Sequence, residues 1–235
     1  MREIPANPQS AVSQPAALIE TDESTKERFV VFLDIMGFKD RVARNKHEKI
    51  LKQLEAFQNT ISSYVSEYQE SNVQLSLFSD SILIFSQDDS IESLKSIAAI
   101  SSKIMMSAFQ QQETIPLKGA IAQGKVTCNR SKQLFFGQAL IDAYLLEENV
   151  KYYGVVVHHS AEAKVKAIAD GSFRDVKTCL KSGDISHYEL YWYNTNINKG
   201  NQQNTINECL NNLRLTVSDE PRKYIDNTLK IIEQK

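Results

Sequence analysis

Apolar positions along this chain fall into blocks whose spacing switches between the strand and the helix period. "RFVVFLD", residues 28 to 34, is a run of β-branched and aromatic residues that reads as a buried strand ending on an acid. After it, Val42, Ile50, Leu54, Phe57, Ile61, Val65 and Tyr68 recur at helical spacing and predict one long amphipathic helix. Residues 73 to 86 hold two short apolar runs around Ser79-Asp80-Ser81, small polar residues where a tight hairpin turns. Asp89 and Glu92 stand three apart and read as a capping box for a second helix carrying Leu94, Ile97, Ala98, Ile104, Met105 and Phe109.

Pro116 opens a further strand, "LKGAIAQGKVTC", and "KQLFFGQALIDAYLLEEN" predicts a short strand running into a helix that starts near Gly137. The resulting order, βαββαβ, is that of a ferredoxin-like, split βαβ core. "YYGVVVHH" and "HYELYWYN" add strands, and residues 205–215 and 219–234 have helical spacing and are expected to pack outside the sheet. The predicted class is α+β, an antiparallel sheet covered by helices.

A length of 235 residues suits one substantial domain with extensions. The expected division is a flexible leader at 1–26, a catalytic domain at 27–195, and a linker with a helical extension at 196–235. The leader holds three of the five prolines and has no continuous apolar segment of a secretory signal, and the link "NTNINKGNQQN" at 194–204 is polar throughout. The 27 basic and 29 acidic residues nearly cancel, to a net charge of -2, without a long run of one sign. That balance argues against nucleic acid as a direct partner. No apolar stretch approaches the roughly 20 residues that span a bilayer, so no membrane role is expected. Cys128, Cys179 and Cys209 are odd in number and far apart, which suggests neither a disulfide framework nor a zinc knuckle; a reducing cytoplasm is the expected location.

The chemistry rests on two acids. Asp34 ends the first strand and Asp80 sits in the hairpin between the second and third. In a ferredoxin-like sheet the first and third strands are neighbours, so the two carboxylates can meet at one end. Carboxylate oxygens suit Mg2+ or Mn2+, which commonly take one or two of them and complete their shell with water and phosphate. A nucleoside triphosphate is the natural third party. The competing reading makes each Asp a local backbone cap, as turn aspartates commonly are. Gly119 to Lys125 fits GxxxxGK, the start of a P-loop, but Val126 replaces the required Ser or Thr and the segment reads as one strand. His158 and His159 are adjacent on a predicted strand, which would point their rings to opposite faces and leaves them a structural role.

"FLDIMGF", "LFSDSILIF", "LKGAIAQGKV" and "FFGQALIDAYLLE" together resemble, in order and spacing over roughly residues 28–193, the class III nucleotide cyclases. The resemblance implies a homodimer with sites at the subunit interface, where a 3′-hydroxyl attacks the α-phosphate and pyrophosphate leaves. It further implies two divalent ions (Mn2+ or Mg2+) on Asp34, Asp80 and the Ile35 carbonyl. Backbone N–H groups of Gly37 and Phe38 would meet the triphosphate, as would Lys181 of "CLKSGD".

The chain departs from the purine cyclases at several of these positions. Ser76 and Leu134 stand where the purine readers are, and Ile141 and Leu145 stand where a transition-state Asn and Arg are. The remaining pattern, "LKGAIAQG" with "LK.G" and a strand ending in Trp192, resembles the pyrimidine cyclases of the bacterial Pycsar anti-phage system. This implies a product, cyclic UMP or cyclic CMP, that activates a separate effector. UTP is the expected substrate and CTP the alternative, with Gln74, Ser76 and Tyr144 as base-pocket candidates by position. The GGDEF sequence of diguanylate cyclases is missing. Two other readings stay open: a nucleotide-binding dimer without turnover, and a dimerisation domain whose acids are turn caps.

Overall fold

The computed structural model describes residues 25–68, 73–111, 113–129, 131–194 and 202–234; most of the expected leader and of the polar link lies outside them. The chain opens with β1 (Thr25–Ile35), α1 (Phe38–Arg44), α2 (His47–Glu67), the hairpin β2 (Gln74–Phe78) and β3 (Ser81–Phe85), then α3 (Ile91–Gln110) and β4 (Leu117–Asn129). It continues through β5 (Leu134–Gly137), α4 (Gln138–Asn149), β6 (Val155–Val157), α5 (His159–Lys166), β7 (Phe173–Leu180) and β8 (Gly183–Leu190), and closes with α6 (Gln202–Arg214) and α7 (Glu220–Ile232).

The strands form one sheet in the order β2-β3-β1-β4-β6-β8-β7, with β5 paired to β4. The first four strands take the ferredoxin-like order that βαββαβ predicts. β4 and β6 are parallel, and the other pairs are antiparallel. Both faces of β1 are covered, which explains its continuous apolar run. Phe29, Val31, Leu33 and Ile35 enter the main core with α2 and α3, whereas Val30 joins Phe85, Ala122, Val126 and the α4 residues Ala139 and Ala143 on the other face. Strand alternation therefore places Asp34 on the α4 side. β1 and β4 approach closely at Gly119, where a Cβ would lie 2.4 Å from the Phe32 carbonyl oxygen.

Several local expectations change. The long helix after β1 is two helices, because Asn45 and Lys46 are both extended and break it. The second predicted helix is capped by Ser90, whose hydroxyl accepts from the Ser93 N–H at 3.2 Å, rather than by an Asp89–Glu92 box. Asp88 stands behind that cap and accepts from Ser90 N, Ser90 Oγ and Ser93 Oγ. His158 and His159 leave the strand: His158 caps α5 and His159 begins it, with ring centroids 4.0 Å apart. The strand expected at 187–194 ends at Leu190 and begins earlier, at Gly183.

α6 and α7 are built into the core. Ile206, Leu210, Tyr224, Ile225 and Ile232 belong to its largest cluster. Thr228 of α7 accepts from the Tyr153 N–H at 2.9 Å, and Asn227 donates to the Lys151 carbonyl at 2.7 Å.

Candidate functional site

The site grows from the end of β1. Asp34 pairs in register with Ser81 of β3 and Lys118 of β4. The Ile35 N–H donates to the Asp80 carbonyl at 2.8 Å and the Met36 N–H to the Pro116 carbonyl at 2.9 Å, so the chain leaves the sheet at a fixed point. Gly37 then turns it at φ +72°, a left-handed conformation that favours glycine even though the space around its Cα is open. Gly37 and Phe38 open α1, where helical geometry leaves amides without intrahelical acceptors. Across the end of the sheet, Ser79 takes φ +56° in the two-residue turn from β2 to β3, and Asp80 follows it.

These segments border a cleft of about 640 Å3. Asp34, Ile35, Gly37, Phe38, Asp80, Tyr144 and Lys181 all line it. Lys181 arrives from the turn between β7 and β8, and Tyr144 from α4, where its ring packs edge-on against Phe32 at 5.4 Å. Gln74 and Ser76 do not line the cleft; they lie along β2, opposite Phe85 and Leu83. Ile141 and Leu145 are half exposed on α4.

Burial, with Glu147 and Asp80 adding negative charge, raises the Asp34 carboxyl from the usual value to about 6, against the opposing pull of Lys118 and Lys39. Among the described residues no hydrogen-bond donor reaches this carboxylate. Sequence reasoning missed its most intimate neighbours. Lys118 Nζ lies 2.8 Å from Glu147 Oε1 and donates to the Glu147 backbone carbonyl at 2.9 Å, with both residues buried. Burial raises the Glu147 carboxyl while Lys118 and Lys181 oppose it. The signal for Lys118 was its place as the lone cation in "LKGAIA", directly across β4 from Asp34.

The donor chemistry fits a hard divalent cation: two carboxylates line one cleft, near enough for the charge of Asp80 to act on Asp34, and burial with neighbouring negative charge outweighs the lysines there. Among the described residues no three His, Cys, Asp or Glu side chains are grouped to enclose an ion. The protein therefore offers a partial shell, of the kind Mg2+ completes with water and phosphate.

No protein-family model matches the chain, and no curated protein does. Solved structures do. The guanylate cyclase domain of RhGC from Catenaria anguillulae, in complex with GTP, is 14% identical and has a TM-score of 0.55, covering 70% of this chain and 96% of its own. The adenylyl cyclase CyaB from P. aeruginosa is 18% identical with a TM-score of 0.51, covering 71% and 94%. A bacterial light-regulated adenylyl cyclase is 13% identical with a TM-score of 0.54, covering 79% and 99%. The strand order, the helices on the sheet and these likenesses agree: the chain has the α+β fold of a class III nucleotidyl cyclase catalytic domain.

Proposed function

We propose that the protein is a homodimeric nucleotide cyclase that converts a pyrimidine nucleoside triphosphate, UTP before CTP, to its 3′,5′-cyclic monophosphate and pyrophosphate. The observation that carries this reading is the meeting of Asp34 and Asp80 in one cleft, with the Asp34 carboxylate half buried and without a donor. Such a carboxylate is costly to keep unless it serves a cation or a proton. Divalent ions bound there would lower the pKa of the attacking hydroxyl and stabilise charge at phosphorus. The chain's own residues supply the rest. Asp34, Asp80 and the Ile35 carbonyl hold the ions, the Gly37 and Phe38 amides meet phosphate oxygens, and Lys181 offsets the charge of the leaving pyrophosphate.

Dimerisation has a surface to use. Ile141, Tyr144 and Leu145 of α4 are 43–51% exposed, and Leu134 and Phe136 of the adjoining β5 are 48% and 56% exposed. Apolar side chains at this density on neighbouring elements suit a second copy of the chain. A paired arrangement also gives Gln74 and Ser76, absent from their own protomer's cleft, a route to the partner's base pocket. The solved neighbours named above are purine cyclases by their titles; the pyrimidine reading rests on the absence of their purine readers, with Ser76 and Leu134 in those places. The reading extends to anti-phage signalling, in which the cyclic product acts on a separate effector.

Purified protein incubated with Mn2+ and each of ATP, GTP, CTP and UTP, with products resolved by chromatography and mass, tests it. Cyclic UMP or cyclic CMP from wild type, and none from Asp34→Ala or Asp80→Ala, is the expected result. A cyclic purine would overturn the base assignment. Ile141 and Leu145, in place of polar transition-state groups, favour one second reading: a dimer that binds nucleotide without turnover. Nucleotide-dependent thermal stabilisation without any product would establish that reading instead.

A further inference from the structure

Lys151 also lines the cleft of Asp34, Asp80 and Lys181, and the motif resemblance gives it no role. It is fixed beside Lys181 by two backbone hydrogen bonds: Lys151 N–H to the Cys179 carbonyl at 2.9 Å, and Lys181 N–H to the Asn149 carbonyl at 2.8 Å. Its ammonium is held from α7. Glu220 forms an ion pair with it, and the Tyr224 ring centroid lies 5.2 Å from its Nζ. The Lys151 side chain is 19% exposed, whereas Glu220 is 63% exposed. Lys118, the buried lysine of the same cleft, is already committed to Glu147.

We infer that Lys151 is a second triphosphate-binding cation, and that Glu220 occupies it until the triphosphate arrives, so that the C-terminal helix α7 competes with the ligand for one ammonium group. An ion pair with so exposed a carboxylate is weak and salt-screened. A triphosphate presents several charged oxygens to Lys151 and Lys181 together and makes the stronger charge-assisted bonds. Exchange of partner is therefore favourable once the ligand is in the cleft. The cost of releasing Glu220 lowers the apparent affinity and couples α7 to occupancy. The inference rests on the reading of the cleft as a nucleoside triphosphate site.

The test titrates inorganic tripolyphosphate into the full chain by calorimetry, in magnesium buffer at fixed ionic strength, with thermal melts to verify folding. Lys151→Gln is expected to weaken binding about tenfold, and Lys151→Arg to restore most of it. Glu220→Gln is expected to tighten binding about threefold in the wild-type background and to have no effect in Lys151→Gln. Unchanged affinity in Lys151→Gln, while Lys181→Gln weakens binding, overturns this inference and leaves the cyclase reading standing. Weaker binding in Glu220→Gln overturns the competition. The expected pattern in a protein that makes no cyclic product would uphold the inference and overturn the cyclase reading. No binding of tripolyphosphate by wild type overturns both.

Discussion

Two regions of the sheet each bury a carboxylate, and they treat it in opposite ways. At Glu189 of β8, Tyr152 donates at 2.9 Å, Tyr193 at 2.7 Å and Arg174 Nε at 2.9 Å, and the residue is fully buried. At Asp34 of β1 no donor arrives among the described residues, and Glu147 and Asp80 stand nearby. Burial pushes both carboxyls upward. At Glu189 a guanidinium and two phenols oppose the push with hydrogen bonds, whereas at Asp34 two further acids reinforce it and only the charges of Lys118 and Lys39, neither hydrogen-bonded to it, oppose it. Arg174 also donates to the carbonyls of Ile231 and Gln234, so the satisfied acid ties α7 to β7 and β8. A buried charge completed by its own protein serves the fold, and one left incomplete at the rim of a cleft is positioned for something that arrives. Between them in character lies Glu147, paired with Lys118 yet within reach of Asp34.

The largest effect that would sharpen this contrast is on catalysis. Asp34→Asn should lower cyclase turnover at least about 10³-fold, about 4 kcal/mol in the barrier. In chelator at pH 8 it should melt no lower than wild type, because it removes a charge that no hydrogen-bond donor among the described residues satisfies and that burial and two neighbouring acids disfavour more than Lys118 and Lys39 favour it; a large fall in Tm would make Asp34 a structural acid after all. Arg174→Met should do the reverse: a loss of about 4 kcal/mol in urea unfolding, with Glu189 stranded in the core. A loss below about 1 kcal/mol would break the comparison at its structural end.

Lys118→Met comes next, at about 3 kcal/mol, since Glu147 is then buried without its partner. The double variant Lys118→Met with Glu147→Leu should recover to within about 1 kcal/mol of wild type. Failure to recover would mean that the pair is needed for more than mutual neutralisation.

Smallest is Asp88→Asn, about 1 kcal/mol, which weakens the start of α3. Hydrogen bonds from the Ser90 side chain, the Ser93 side chain and the Ser90 N–H depress the Asp88 carboxyl. In the unfolded chain it titrates near 3.9. Between the folded and unfolded values the unfolded state binds more protons, so this contribution is complete above about pH 5 and disappears as the pH falls through the lower folded value. Melts of variant and wild type should therefore converge only once the pH has fallen through the depressed folded value of Asp88.

Much of the fold was legible because its periodicities are local. β1, the β2–β3 hairpin, α3, β4 and α4 follow from alternation, helical spacing and turn residues that each short segment carries within itself. Where two local signals compete, pattern alone misleads. The apolar residues from Val42 to Tyr68 keep one helical period across a break that the extended Asn45 and Lys46 make, and "YYGVVVHH" gives no sign that its histidines turn away to open α5. Asp34 and Asp80 were legible as a pair because strand order alone brings neighbouring strand ends together. Lys118, Glu147 and Lys151 were not, because each becomes part of the cleft only through pairing register or through a helix packed on the sheet.

By itself, the sequence determined the βαββαβ order of the ferredoxin-like core and the two acids at one end of its strands, though not the break between α1 and α2, nor α5, nor β7, since what it determined depends on the alternation of apolar and polar groups over a few residues. Only the tertiary structure decided that Glu189 is neutralised and Asp34 is not, and that α7 reaches back to hold Lys151. Those outcomes depend on which charges the packed chain brings within a few ångströms across long separations in sequence, where Coulomb energy and desolvation act and local periodicity carries no information.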